Sequence, residues 1–246
     1  MQSSKLRIGI ISAEKSGDYL AASFIESLKS SGRDFELFGI GGKELDKFNI
    51  SRPQDFDREI LNVMGIIDPL KNLRQILRAR KQILDFLISK NINIFIGVDS
   101  PDLNSFFHKK LKKINSTINF QIVSPSVWAW RSGRVKQLRK FVDTTFCLFK
   151  FEHDYLKKNN VNSFHVGHPF QDIEKVEDVS SIKNRYEIKN DSECLTFLVG
   201  SRRSEISNML SIYKKVIKKV YESDKSYSFL FPVVNQDHKN IIQAEL

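Results

Sequence analysis

One stretch, Ile92 to Asn104, read INIFIGVDSPDLN, constrains the fold more than any other part of the 246-residue chain. The apolar, largely β-branched run of Ile92, Ile94, Phe95, Ile96 and Val98 suits a strand buried on both faces, which is the environment of a parallel sheet. Pro101 cannot continue the strand, and Leu103, Phe106, Phe107 and Leu111 recur at helical spacing. A buried strand that turns at once into a helix predicts an α/β fold. Asp102 reads as the N-cap of that helix. Asp99 lies one step before the turn chemistry needs it, at the carboxyl end of a central strand, where ligands of open α/β sheets bind. Turn capping alone is the competing reading for both aspartates. Gly97 predicts a close approach by another backbone or a ligand.

The same alternation runs from the start of the chain. Leu6 to Ser12 reads as a strand, and Ser16-Gly17-Asp18 leads into a helix with Leu20, Phe24, Ile25 and Leu28 on one face. Backbone N–H groups at such a helix start hold an anion or a sugar hydroxyl. AEKSGD is not a P-loop, because it lacks the glycine spacing and the Gly-Lys-Ser/Thr ending. Phe35 to Ile40 is a second strand, and the following Gly41-Gly42 reads as a tight turn, since Glu44 stands where a dinucleotide fingerprint needs its third glycine. Strands at Phe120–Val123, Thr144–Phe149 and Ser163–Val166 alternate with helices at Val135–Phe141 and Phe151–Lys158. Between them, Ser126, Trp128, Trp130 and Arg131 sit in a loop after a strand, a wall suited to a sugar, a base or an acyl chain.

Gly167-His168-Pro169 ends this pattern and an acidic stretch, Asp172 to Asp178, begins. The predicted division is therefore 1–169 and 170–246. The second part reads as a helix at Ile182–Tyr186, a strand at Leu195–Val199, a helix from Ser204 to about Tyr221 and a strand at Phe229–Val234. Gly200-Ser201-Arg202-Arg203 again carries a strand through glycine and serine into a helix, now with fixed positive charge suited to a diphosphate. Two strands are too few for an α/β domain covered on both faces, so this part reads as an incomplete domain.

The net charge is +10, and residues 101–150 hold ten Lys/Arg against two Asp/Glu, whereas residues 151–200 hold six against nine. The surplus around the central strand favours an anionic partner or simply a solvated basic face. From Asp68 to Lys90, Leu70, Leu73, Ile76, Leu77, Leu84, Leu87 and Ile88 form a helical apolar stripe beside Lys71, Arg74, Arg78, Arg80 and Lys81. Met64, Ile66 and Ile67 extend it. A helix packed on the sheet and one lying on an anionic bilayer both fit, with the pattern alone favouring the sheet. Cys147 and Cys194 read as buried free thiols. The first residues do not read as a signal peptide, and no stretch reaches the length of a spanning helix, so a cytosolic protein is expected.

Taken together, AEKSGD, GIGG, VMGI, IGVDSPDLN, VSPSVWAWR, VGHPF, VGSRRSEI and FPVVN resemble the lipid-A-disaccharide synthase family in both content and order. The resemblance implies a GT-B fold of two Rossmann-like halves. It implies transfer of a diacylglucosamine from UDP to diacylglucosamine 1-phosphate, with inversion and with neither metal nor cofactor. Asp99 is the first choice for the base that activates the acceptor hydroxyl and Asp102 the second. Arg202 and the amides of Gly200 and Ser201 are assigned to departing UDP, with Glu205 and Asn235 beside them. Glu14, Ser16, Gly17 and Asp18 are expected to contact sugar, as are Ser126, Trp128, Arg131 and His168. Met64, Ile66, Ile67, Leu70, Leu73, Arg74, Leu77 and Arg78 become a membrane-facing patch, which places the protein peripherally on the inner membrane, as a homodimer when complete. No nucleic acid is expected, since no recognised motif for one is present. Ala13 replaces a glycine and Val199 a proline usual in the family. Family members continue beyond Leu246, so the alternative is an inactive fragment that only binds nucleotide-sugar or lipid.

Overall fold

A computed structural model describes residues 5–54, 56, 73–114, 117–129, 133–172, 178–201, 203–224 and 226–246. The chain divides into two units, Met1–Ile173 and Glu174–Leu246. In the first, β1 (Leu6–Ser12), β2 (Phe35–Ile40), β3 (Ile94–Val98), β4 (Ile118–Ile122), β5 (Thr144–Cys147) and β6 (Ser163–His165) form a sheet. Every pairing is parallel, in the order β2-β1-β3-β4-β5-β6. The described helices of this unit are α1 (Lys15–Ser30), α2 (Lys43–Asp46), α3 (Leu73–Ser89), α4 (Pro101–Ile114), α5 (Gly133–Phe141) and α6 (Lys150–Lys158).

The two-residue period of a strand sends neighbouring side chains to opposite faces, and two cores result. Ile8, Ile10, Ile96 and Val98 pack with Leu20, Ala21 and Ile25 of α1. Ile11, Ile40 and Phe95 pack with Ile83 and Leu87 of α3 and with Leu103, Phe107 and Leu111 of α4. Phe95 and Phe107 are fully buried, each contributing about 1.5–3 kcal/mol. Strand order reverses between β1 and β3, so α1 and α4 leave the sheet on opposite faces. In open α/β sheets the crevice for a ligand lies at the carboxyl ends of strands where the order reverses, here β1 and β3.

Helix α3 uses its apolar stripe for packing. Ile76, Ala79, Ile83, Leu84 and Leu87 are buried, whereas Arg74, Leu77 and Arg78 are exposed. Leu73 opens the helix; Met64, Ile66, Ile67 and Leu70 lie outside the described residues.

In the second unit, β7 (Cys194–Thr196) and β8 (Ser228–Leu230) pair in parallel beside α7 (Val179–Arg185), α8 (Arg203–Ser223) and α9 (Gln236–Glu245). Both strands are shorter than the sequence predicts. Pro232 cannot donate to a ladder, and pairing fades after Phe197 donates its N–H to the Leu230 carbonyl at 2.8 Å. The core consists of Val199, Ile206, Leu210 and Ile242. Alternation in β7 turns Leu195 inward and Cys194 outward, so Cys194 is exposed, contrary to expectation. Cys147 is buried, and burial, helped by Glu152, pushes its thiol up to about 12. It is inert as a nucleophile.

Candidate active site

The crevice between β1 and β3 is built by a glycine and by strained backbone. Gly17 sits in the first turn of α1, where a Cβ would come within 2.8 Å of Ser12 Oγ and 3.6 Å of Asp99 Cβ. The missing side chain lets α1 press against the strand ends, and it brings Asp99 to the helix start. Glu14 occupies the N-cap position of α1 and Ser16 is exposed beside it.

Asp99 follows directly on β3 and is half-buried. Its backbone has φ 50°, that of Ser100 has φ 39°, and Val123, at the end of β4, has φ 71°. Three non-glycine residues in left-handed conformation at adjacent strand ends are unusual, and a β-branched one is an outlier. Such strain persists only where surrounding contacts over-determine it, and it concentrates at functional sites. Here the contacts are explicit. The Asp99 N–H donates to the Ile122 carbonyl at 2.9 Å and the Val123 N–H to the Phe146 carbonyl at 3.0 Å. The side-chain amides of Asn104 and Gln121 donate to the Asp99 carbonyl at 2.8 and 3.2 Å. Gly97 is tight for the same reason, since a Cβ there would lie 2.9 Å from both Asn104 and Gln121. What approaches Gly97 is therefore a pair of buried side chains, not the ligand or backbone the sequence suggests.

Two predicted site residues are used elsewhere. Asp18 is buried, and its carboxylate accepts the Gly42 and Glu44 N–H groups at 2.7 and 2.8 Å, capping α2 rather than lining the crevice. Asp102 is not the N-cap of α4. The helix already begins at Pro101, whose fixed φ suits the first helical position, so Asp102 falls inside the first turn. There it forms an ion pair with Arg134. The Arg80 guanidinium lies 3.5 Å from the Asp102 carbonyl and over the Phe106 ring. Burial pulls Arg80 below its ordinary range, against the opposing pull of Asp102. The structure thus keeps Asp99 beside Gly17 in the first turn of α1 and pairs the Asp102 carboxylate with Arg134.

A series of rings runs from Trp128 to Tyr19, of which the sequence reading singled out only Trp128 and His168. Trp128 meets Phe151 edge-on at 4.9 Å, Phe151 stacks with Phe149 at 5.8 Å, and Phe149 stacks with His168 at 6.3 Å. His168 then meets Phe170 at 4.5 Å, and Phe170 reaches Tyr19 at 6.0 Å. All five phenyl, phenol and indole rings are exposed. For the other rings the hint in the sequence is Phe149-Lys-Phe151 at a helix start, where capping residues would be usual. Nδ1 of His168 accepts the Phe170 N–H at 3.1 Å, which leaves Nε2 to carry the proton of the neutral ring. An open groove of about 670 Å3 runs beside α1, lined by Phe24, Ile122, Phe146, Leu148 and His168. Ser126 is exposed nearby in sequence; Arg131 and Trp130 lie outside the described residues.

The second unit carries the other predicted loop. Gly200 has φ 99°, and a Cβ there would meet Glu205 at 2.5 Å, so glycine is required twice over. The Ser201 N–H is not open to an anion as expected, because it donates to the Glu205 carboxylate at 2.8 Å. Asn235 caps α9, its side chain accepting the His238 N–H at 2.8 Å. Arg202 lies outside the described residues. Among the described residues, no group of three or more His, Cys, Asp or Glu side chains is placed to hold a metal ion, and no helix is long and apolar enough to cross a membrane.

Residues 8–246 match the family model described as lipid-A-disaccharide synthetase. Curated relatives named lipid-A-disaccharide synthase include one from Idiomarina loihiensis, 34% identical over 237 residues, and one from Hydrogenovibrio crunogenus, 35% identical over 238. These alignments take in 94% and 96% of this chain but 60% and 62% of the relatives, so the chain spans about three fifths of their length. Among solved structures, a UDP-GlcNAc 2-epimerase from Neisseria meningitidis aligns over 98% of this chain and 69% of its own, with TM-score 0.62 and 12% identity. A sucrose-phosphate synthase from Thermosynechococcus elongatus aligns over 97% and 72%, with TM-score 0.60 and 10% identity. At such identities the likeness shows the fold, an α/β architecture of the GT-B kind.

Proposed function

Since the chain belongs to the lipid-A-disaccharide synthetase family, we propose that it supplies the acceptor-activating part of a glycosyltransferase that joins two acylated glucosamines in lipid A assembly. The donor is UDP-2,3-diacylglucosamine, the acceptor 2,3-diacylglucosamine 1-phosphate, and the products the disaccharide 1-phosphate and UDP. The observation that carries this reading is Asp99, held in a left-handed conformation at the end of β3 with its Cβ against the position of Gly17. A carboxylate fixed at a strand-order reversal is placed to take a proton from a hydroxyl bound there. With that proton removed, the acceptor oxygen attacks the anomeric carbon from the face opposite UDP, which inverts it. Glu14 and Ser16 would orient the sugar at the same helix start. The exposed rings from Trp128 to Tyr19 and the groove beside α1 supply the apolar surface an acylated sugar needs. Departing diphosphate would be met by Gly200, Ser201 and Arg202.

Asp99→Asn keeps shape and removes the base. In the chain joined to the C-terminal segment of a full-length relative, disaccharide formation from the two acylated substrates should fall at least ~10²-fold with the fold intact; turnover near that of the parent by a folded variant refutes the assignment. The exposed side of α3, with Arg74, Leu77 and Arg78, would face an anionic bilayer together with Met64, Ile66, Ile67, Leu70 and Leu73. Each basic residue contributes about 1 kcal/mol near such a surface. Replacing Arg74 and Arg78 together by Glu should lower sedimentation with anionic vesicles without moving the melting temperature, and unchanged sedimentation would remove α3 from the membrane.

A further inference from the structure

Gln121 is buried, and its side-chain nitrogen lies 3.2 Å from the Asp99 carbonyl oxygen, 2.9 Å from that of Ile122 and 3.2 Å from that of Val123. Carbonyl oxygens only accept, so the nitrogen must point at them and the amide cannot be flipped. The amide oxygen is then left to accept the Nε2–H of His108 at 3.0 Å. Burial holds the His108 ring down to about 4, against the pull of Gln121 and Asp143, so the ring is neutral at physiological pH and keeps this orientation. Asn104 supplies the second grip, donating to the Val98 and Asp99 carbonyls at 3.2 and 2.8 Å. Two buried amides on two different elements therefore hold one carbonyl oxygen, that of the residue whose backbone is left-handed. Gln121 alone also holds the Val123 carbonyl, which belongs to the third strained residue.

Resting on the reading of Asp99 as the base, we propose that Gln121 is a positioning residue for it. With Asn104, Gln121 fixes the carbonyl of Asp99, and hence the peptide that follows, so that the residue stays left-handed and presents its side chain at the Gly17 end of the crevice. Neither amide touches the acceptor. Their contribution is to hold the carboxylate within reach of a hydroxyl in every turnover, and small misplacements of a reacting group lower the rate steeply.

Gln121→Met keeps length and volume but cannot donate to the carbonyls; the backbone test uses it in the 246-residue chain, and the kinetic test in that chain joined to the C-terminal segment of a full-length relative. NMR backbone chemical shifts should show Asp99 leaving the left-handed region in this variant, while the parent keeps φ near 50°. In the disaccharide assay kcat should fall about 10–100-fold with KM for both substrates unchanged. Adding Asp99→Asn to Gln121→Met should give a rate no lower than Asp99→Asn alone, because a base that is absent gains nothing from being positioned. A left-handed Asp99 retained in Gln121→Met overturns the proposal, as does a parent-like kcat or losses that multiply in the double variant. If Asp99→Asn itself turns over normally, the assignment of the base fails, and the shifts of Gln121→Met still decide whether Gln121 holds the backbone. Should Gln121→Met not fold, Gln121→Asn, polar but one methylene short of the Asp99 carbonyl, is read by the same measurements.

Discussion

Twice in the chain a strand runs into a helix with glycine and serine at the junction, and the two junctions reach opposite results. In the first unit the entry to α1 is locked by packing, with Gly17 of its first turn pressed against Ser12 and Asp99, and the acid that follows, Asp18, is buried and spent on the backbone of Gly42 and Glu44. In the second unit, among the described residues, a partly exposed acid, Glu205, folds back onto the Ser201 N–H of the loop before α8. The contrast follows from what lies around each loop. Among the described residues, six strands and three cores belong to the first unit, and two short strands and one small core to the second. A loop locked by its surroundings can hold a base at fixed geometry. One held by a single displaceable carboxylate can give its N–H to a ligand.

The comparison breaks most visibly at Asp18. Alanine there leaves the Gly42 and Glu44 N–H groups without their acceptor at the start of α2, beside a cavity where the carboxylate was. Hydrogen bonds to a charged group are worth about 1.5–3 kcal/mol each before relaxation, so Asp18→Ala should destabilise the first unit by about 2–3 kcal/mol. Both tryptophans, Trp128 and Trp130, belong to that unit, so urea unfolding followed by indole fluorescence reports on it selectively. A loss below about 0.5 kcal/mol would mean that the first loop is no more locked than the second.

How much of this the sequence shows depends on the range of the interaction. The sheet, the helices and the position of Asp99 follow from patterns within about ten residues, namely apolar runs, Pro101 and the spacing of Leu103, Phe107 and Leu111. The misreadings involve longer reach. Asp102 reads as a cap until Arg134, 32 residues later, takes its carboxylate. Asp18 reads as a site residue until Gly42 and Glu44, 24 and 26 residues later, fill both oxygens. The strain at Asp99 and Val123 has no local signature, because it is imposed by Gln121 and Asn104 from the interior. The run of rings is legible only in part, at Trp128 and His168, since it joins residues from Tyr19 to Phe170 that only the fold brings together.

Glu205 sharpens the comparison with a smaller effect. In the present arrangement its carboxylate supplies to Ser201 the negative charge that a diphosphate would otherwise bring. A phosphate entering the Gly200–Ser201 loop must displace the carboxylate and then remain close to its charge. Glu205→Gln keeps an oxygen for the Ser201 N–H, so the loop should survive and the melting temperature should hold. The repulsion is gone, and a charge contact of this partly exposed kind is worth up to about 1 kcal/mol. UDP should therefore bind about 3–5-fold more tightly to the variant by titration calorimetry, with the gain shrinking as salt rises and screening grows. The sequence alone reads Glu205 the other way, as part of the UDP site. If the variant binds UDP more weakly, with the loss insensitive to salt, Glu205 is a direct ligand of the nucleotide, and the second loop needs its own acid as much as the first needs Asp18.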